Sequence, residues 1–187
     1  MAAKEARRAR LAAEVEDRGG VVGGPLATAF AQEVRRLYPF VPALAAITLR
    51  DTEFEGCPIK GGQRVLLDVM ATDHDPSEWP EPNSFDPHRF IDTGAEWGHA
   101  FVPQGGGRSE HGHRCPGEMV TVGLLALTCA RLAHEGASLV RGQDAGWRWA
   151  QVPARPRSGS IVTLSNLSVD GRDEHLRTPV ALEIDRS

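Results

Sequence analysis

The sequence predicts a mainly α fold with small antiparallel β elements, and three observations carry that expectation. Residues 26–37 place Leu26, Phe30, Val34 and Leu37 close to helical spacing. Residues 117–134 carry Val120, Leu124, Leu127 and Ala130 or Arg131 at successive turns, a second and longer helical pattern. Two short runs, AITLRDTEF (46–54) and RVLLDVM (64–70), read instead as strands, with CPIKGG supplying a turn and a strand edge between them.

Taken in chain order, residues 3–16 open with an Ala-, Arg- and Glu-rich helix. Gly19, Gly20, Gly23, Gly24 and Pro25 break it, and Pro39 and Pro42 end the 26–37 helix that follows. The two strand-like runs form an antiparallel pair. From His74 to Arg89 four prolines punctuate an ordered meander, whose Trp79, Phe85 and Phe90 need a surface to pack on. Phe101 opens a glycine loop, and the helix behind it is apolar over much of its circumference, which reads as a buried core helix. Short strand-like pieces follow over 147–164, around PARPRSG, and the tail from Asn166 is polar. The expected organisation is a partial domain over 1–165 and a tail of unassigned role over 166–187.

Composition excludes several function classes. The 187 residues are 41% hydrophobic, enough for a core. Lys+Arg 21 against Asp+Glu 25, a net charge of -4, argues against nucleic acid as a partner. No apolar run approaches the ~18 residues of a membrane span. The basic start is followed by no apolar signal-type segment and is interrupted by Glu5, Glu14, Glu16 and Asp17. Cys57, Cys115 and Cys129 make no disulfide framework, so a cytoplasmic location is expected.

The stretch FVPQGGGRSEHGHRCPGE (101–118) concentrates the chemistry. Gly105, Gly106 and Gly107 permit close backbone approach. Pro116 and Gly117 place Cys115 near a helix N-terminus, where the dipole and free N–H groups favour a thiolate, with Arg114 and His113 adding positive charge. A zinc site from His111, His113, Cys115 and Cys57 or Cys129 lacks the usual pair of close cysteines. A phosphate loop would require a GxxxxGK[ST] pattern, and no Lys-Ser pair is present. A nucleophilic cysteine would need a base such as His74 or His99 from another element. A buried cysteine beside a glycine turn is the plain structural alternative. Glu33 and Arg36 in QEVRRLYPF share a helix face at i,i+3, a spacing equally common in exposed ion pairs.

Taken together, Phe101, Gly105, Arg114, Cys115, Pro116 and Gly117, the ExxR pair Glu33/Arg36 and Arg89 in FDPHRF resemble, in the right order, the C-terminal part of the cytochrome P450 superfamily. The QGGG…GHRC loop, with Gln104, the meander VLLDVMATDHDPSEWPEPNSFDPHRF and PARPRSG (153–159) are similar to the bacterial fatty-acid peroxygenase branch. The resemblance implies a heme b cofactor with Cys115 as its single thiolate ligand, an arrangement that pushes electron density onto iron and assists O–O cleavage. It implies that Phe101 flanks the heme, that His113 meets a heme propionate, and that Pro116 and Gly117 start the following helix. Glu33, Arg36 and Arg89 become a scaffold cluster with no proton chemistry.

The implied activity of the full enzyme is hydroxylation of a fatty acid with hydrogen peroxide. Members of the family are over twice this length, so the expectation is a C-terminal portion of the fold lacking the long distal central helix. No catalytic residue beyond the heme ligand is then expected on this chain. Two alternatives stand beside this one: an NAD(P)H-driven monooxygenase of the same superfamily, which alone would need a redox partner, and a catalytically inactive heme-binding or interaction fragment.

Overall fold

The structure is a computed structural model and describes residues 2–21, 23–107, 113–144, 146–148 and 155–166. The expected tail, 166–187, lies outside the described residues except for Asn166, as do His111 and the start of PARPRSG. Helices α1 (Ala2–Asp17), α2 (Pro25–Leu37) and α4 (Glu118–His134) pack on one another, while a short α3 (Val69–Asp73) lies between the sheet and the meander. The strands are β1 (Ala43–Ile47), β2 (Thr52–Phe54), β3 (Cys57–Ile59), β4 (Arg64–Asp68), β5 (Gly105–Gly106), β6 (His113–Arg114), β7 (Ser138–Leu139), β8 (Trp147–Arg148), β9 (Arg155–Pro156) and β10 (Val162–Thr163). All pair as antiparallel two-stranded ribbons.

The three long helices lie where periodicity and breakers put them. Helix α2 starts at Pro25 behind Gly24, which has no side chain to cap it. Glu14 of α1 supplies the missing cap, its carboxylate accepting from Leu26 N–H at 2.7 Å and Ala27 N–H at 3.0 Å. A Cβ on Gly24 would come within 2.3 Å of that carboxyl group, so the bare backbone is what lets α1 cap α2.

Two expectations need correction. The run 46–54 is not one strand: β1 ends at Ile47 and pairs with β4 from Ala43↔Asp68 to Ile47↔Arg64, while β2 turns back on β3 through Glu55 and Gly56. Both turn residues have positive φ, 48° and 77°, the two-residue hairpin geometry that matches strand twist. The run 64–70 likewise stops at Asp68, whose side chain caps α3 by accepting from Ala71 N–H.

Helix α4, expected to be a buried core helix, is buried on one face only. Val122, Ala126, Ala130 and Ala133 meet Leu11 and Val15 of α1 and Ala27 and Ala31 of α2. Small side chains let these helix axes approach closely. Met119, Val120, Leu124 and Leu127 are exposed, Met119 by 70% and Leu124 by 60%. A helix apolar all round gives no periodic signal for which side is used. The alternation of small and large residues settles it.

A second core forms under the meander from Ala29, Trp79, Phe90, Ala100 and Phe101, with ring centroids 5.0 Å apart for Phe90–Phe101 and 5.8 Å for Trp79–Phe90. Trp79 Nε1 donates to Ala100 O at 3.1 Å, so its polar end is satisfied. The expected need of Trp79 and Phe90 for a packing surface is met here, and Phe85 stacks edge-on against Phe30 at 5.0 Å.

Between the two cores lies a buried ion cluster. Glu33 and Arg36 have no solvent exposure, and Arg36 donates to the carboxylate through Nε at 2.7 Å and Nη2 at 2.9 Å. Arg36 also donates to Asp73 O at 2.8 Å, and Asp86 N–H donates to Glu33 at 2.8 Å. Arg89 Nε stands 3.6 Å from Glu33, and Arg89 Nη2 donates to Glu81 O. The exposed-ion-pair reading of Glu33 and Arg36 is thereby excluded.

Removing one partner of such a pair strands a buried charge. Arg36→Ala is expected to destabilise by about 3–5 kcal/mol in urea unfolding. Lys60→Ala, which breaks the exposed Lys60–Asp51 pair, should leave the midpoint nearly unchanged.

Candidate heme-thiolate site

The loop from Phe101 to Gly117 is built backwards from its glycines. Strands β5 and β6 pair Gly105↔Arg114 and Gly106↔His113, closing the loop into a ribbon whose tip, 108–112, lies outside the described residues. At Gly105, with φ 98°, an added Cβ would fall 2.0 Å from His113 O, so no other residue allows this pairing. At Gly106 it would fall 2.9 Å from Val102 Cγ1. The entry to the loop is held by Asp73, whose Oδ1 accepts from Val102 N–H at 2.8 Å.

Cys115 follows the ribbon and precedes α4. Its N–H donates to Gln104 O at 2.9 Å and its carbonyl accepts from Glu118 N–H at 3.0 Å, fixing its backbone from both sides. Its thiol is exposed. Helix α4 begins at Glu118, one residue after the expected start, so Gly117 is its N-cap and Pro116 lies in the turn before it, and neither belongs to its first turn. Cys115 therefore stands at a helix N-terminus, as the sequence suggested. His113 is exposed, with its backbone in the ribbon.

Phe101 has no solvent exposure and sits under the loop with Trp79, Phe90 and the Arg35 guanidinium, whose Cζ is 5.2 Å from the ring centroid. It supports the loop from within. Gln104, which holds the Cys115 N–H, carries a buried side-chain oxygen with no partner.

The rival chemistries lose their partners. His74 Nδ1 donates to Met70 O at 2.9 Å, and His99 pairs with Glu78 at 3.4 Å, so neither is engaged with Cys115 as a base. Burial pushes the Cys129 thiol up, away from a thiolate, and Cys57 lies in the β2–β3 ribbon. Among the described residues no group of three or more His, Cys, Asp and Glu could hold a metal ion. A porphyrin iron requires only one protein ligand on this side. An exposed cysteine after a glycine ribbon, followed by a helix that leaves Met119, Val120, Leu124 and Leu127 exposed, fits a flat, largely apolar macrocycle.

Two charged residues that the sequence reading did not single out, Glu118 and Arg35, complete the site around Arg114. Arg114 donates to Glu118 through Nε and Nη2, each at 2.7 Å, to Gly107 O at 2.9 Å and to Glu96 O at 3.0 Å. Its Cζ lies 4.9 Å from the Trp97 ring centroid. Arg35 of α2 donates to the same Glu118 and to Gln32. Burial pushes Glu118 up, but the two guanidiniums outweigh it and hold the carboxyl below its usual range. Only the i,i+4 spacing of Arg114 and Glu118 was visible in the sequence. The Arg35 partnership spans 83 positions.

The comparisons with known proteins agree with this geometry. The family model described as Cytochrome P450 matches residues 24–132, more than half of the chain. The chain belongs to the cytochrome P450 family. That family consists of heme-binding enzymes, and the fold is part of the P450 fold: helices with small antiparallel sheets. Cytochrome P450 84A4 of Arabidopsis thaliana is 36% identical over 107 residues, 55% of this chain and 20% of that protein. Protopine 6-monooxygenase of Papaver somniferum is 37% identical over 111 residues, 57% of this chain and 20% of that protein.

Among solved P450 structures, ligand-free OleT superposes with a TM-score of 0.70 at 34% identity, covering 90% of this chain and 37% of that one. P450EX alpha with myristic acid gives 0.59 at 40% identity, covering 78% and 34%. The chain thus spans about a fifth of the curated relatives' length and about a third of these P450 structures.

Asp73, at the entry to the P450 cysteine loop, generates a pH test. Burial raises its pKa to about 7, against the opposing pull of the Val102 N–H and of Arg36 and Arg35. The unfolded carboxyl ionises near 3.8, so between that value and about 7 the native chain binds the extra proton. Stability from this group is complete below pH 3.8 and is lost as pH rises through about 7. Asp73→Asn keeps an acceptor for Val102 and removes the titration. Urea midpoints measured from pH 5 to pH 8 should decline less in the variant than in the wild type.

Proposed function

We propose that this chain is the proximal, heme-ligating part of a heme-thiolate oxidoreductase of the fatty-acid peroxygenase kind, with Cys115 as the axial ligand. The observation that carries the reading is the exposed Cys115 thiol. Its backbone is fixed at both ends, and the helix that follows it leaves Met119, Val120, Leu124 and Leu127 exposed. When bound, the heme supplies the oxygen-activating chemistry, to which a single cysteinate lends electron density.

This chain's own residues do the work of holding. The Gly105–Arg114 pairing sets the ribbon, Gln104 O and Glu118 N–H clamp the Cys115 peptide, and the helix N-terminus faces the sulfur's negative charge. His113, exposed two residues before the cysteine, is the side chain assigned to a propionate. Glu33, Arg36 and Arg89 keep α2 and the meander in register beneath the loop and move no proton.

The peroxygenase direction rests on the QGGG…GHRC loop and on the similarity to OleT and P450EX alpha, the latter solved with myristic acid. A fatty acid and hydrogen peroxide are the corresponding substrates. The distal surface that would hold a substrate chain at reacting distance corresponds to the two thirds of those structures that this chain does not span. Among the described residues, no helix is long and apolar enough to cross a membrane.

Spectroscopy tests the ligand assignment directly. Purified chain titrated with hemin, reduced and exposed to carbon monoxide is expected to show the red-shifted thiolate-type band. Cys115→Ala should lose that band, and Cys129→Ala should keep it. Absence of heme uptake by the wild-type chain would exclude a site formed by this chain alone and favour an interaction fragment. Hydroxylated fatty acid formed with hydrogen peroxide, and not with NAD(P)H and a redox partner, would separate the peroxygenase from a monooxygenase.

A further inference from the structure

We propose that Glu118 is a positioning residue for Cys115, because its side chain ties Arg114, the residue next to the cysteine, to Arg35 in the buried scaffold. The proposal deepens the heme-thiolate reading. Its first two measurements stand without that reading, because they need no heme.

Three segments meet at this carboxylate, and Arg114 extends the tie to two more. Arg35 comes from α2 and Glu118 from the first turn of α4. Arg114 comes from β6, and its remaining donors reach Gly107 O at the start of the loop and Glu96 O in the turn around Trp97. Glu118 also acts through its backbone, since its N–H donates to Cys115 O. One residue therefore fixes Cys115 twice: once by the peptide and once through the neighbouring guanidinium.

The cluster is asymmetric, and the asymmetry decides which partner gives way. Its side chains carry two positive charges and one negative. Arg35 is 1% exposed at its side chain, is held by Gln32 and lies over the Phe101 ring. It has no route to water, and its Nε already lacks a partner. Arg114 lies on β6, its side chain 5% exposed and held also by Gly107 O and Glu96 O, and its Cys115 neighbour is exposed. If the carboxylate is neutralised, two desolvated guanidiniums face one another, and the repulsion acts on the strand that leads directly into Cys115. The disturbance is therefore felt at the cysteine and not in α2. A residue that served only global stability would loosen both.

Glu118→Gln keeps the side-chain shape and one acceptor but removes the charge. Val15→Ala, a cavity in the α1–α4 core, is the comparison for general destabilisation. Amide exchange of Cys115 should be faster in Glu118→Gln than in Val15→Ala by about threefold or more, with α2 amides equal in the two. Alkylation of Cys115, measured relative to exposed Cys57, should differ from wild type in Glu118→Gln and match it in Val15→Ala. The double variant Glu118→Gln/Arg114→Met should exchange no faster at Cys115 than Arg114→Met alone, because the repelled charge is gone.

In heme-loaded protein, Glu118→Gln should convert part of the thiolate-type ferrous–CO band to the form without thiolate ligation, and Val15→Ala should not. Cys115 exchange in Glu118→Gln less than about threefold above Val15→Ala would overturn the proposal. Failure of the wild-type chain to take up heme would sink the ligand assignment, while the exchange measurement would still decide the role of Glu118.

Discussion

A carboxylate with no access to water is the constraint on which this structure turns. Glu33 is fully buried, and a lone charge in that position would cost more than the domain's whole stability. It must be met from every side. Arg36 meets it within the same helix, Asp86 N–H and Arg89 meet it from the meander, and Arg36 then uses its spare donors on Asp73 O and Ser84 O. Satisfying one charge thus brings α2, α3 and the meander together. Asp73 carries the constraint onward, because the residue whose carbonyl accepts from Arg36 also holds Val102 at the entry to the cysteine loop. The path from Glu33 to that loop is a sequence of buried hydrogen bonds.

How much of this could be read from the sequence follows from the range of each interaction. Helices were legible because caps, breakers and apolar spacing are local, and Glu33 with Arg36 was legible because i,i+3 residues share a face. Arg89 entered only through resemblance, since nothing near it in the sequence points to a partner 56 positions earlier. Arg35 hid in plain sight beside Arg36. Both guanidiniums are buried, one on Glu33 and one on Glu118, and the second partner lies 83 positions away. Asp73 gave no signal either, because its role is defined by Val102, 29 positions on. Phe101 was legible as a motif position, while the aromatic rings and the guanidinium packed around it were not.

The strand and helix errors share another cause. Periodicity marks an apolar face but does not say whether this chain covers it. In 46–54 the strand-like run continued through residues 48–51, where β1 has ended and β2 has not begun. In α4 apolar residues occupy both faces, and the chain covers the side with small ones. The same uncovered character recurs on β1 and β4, where Leu44, Ile47, Leu66 and Leu67 are exposed, and at Phe54 in the β2–β3 hairpin.

These two classes of residue sit in opposite conditions. Most of the buried charges are paired within this chain: Glu33 with Arg36 and Arg89, Glu118 with Arg35 and Arg114, Glu135 with Arg131. The large apolar side chains beside the cysteine loop are not covered within it. A polar interior that closes on itself and an apolar exterior left open mean that the geometry of Cys115 is set before anything is laid over it. A ligand entering such a site meets an already oriented donor and adds apolar burial without having to order the loop, which is the physical content of preorganisation. The heme-thiolate reading requires that order of events. A thiol placed only by its ligand would need the charges beneath it to be completed by that ligand, and here Glu33 and Glu118 already have their partners.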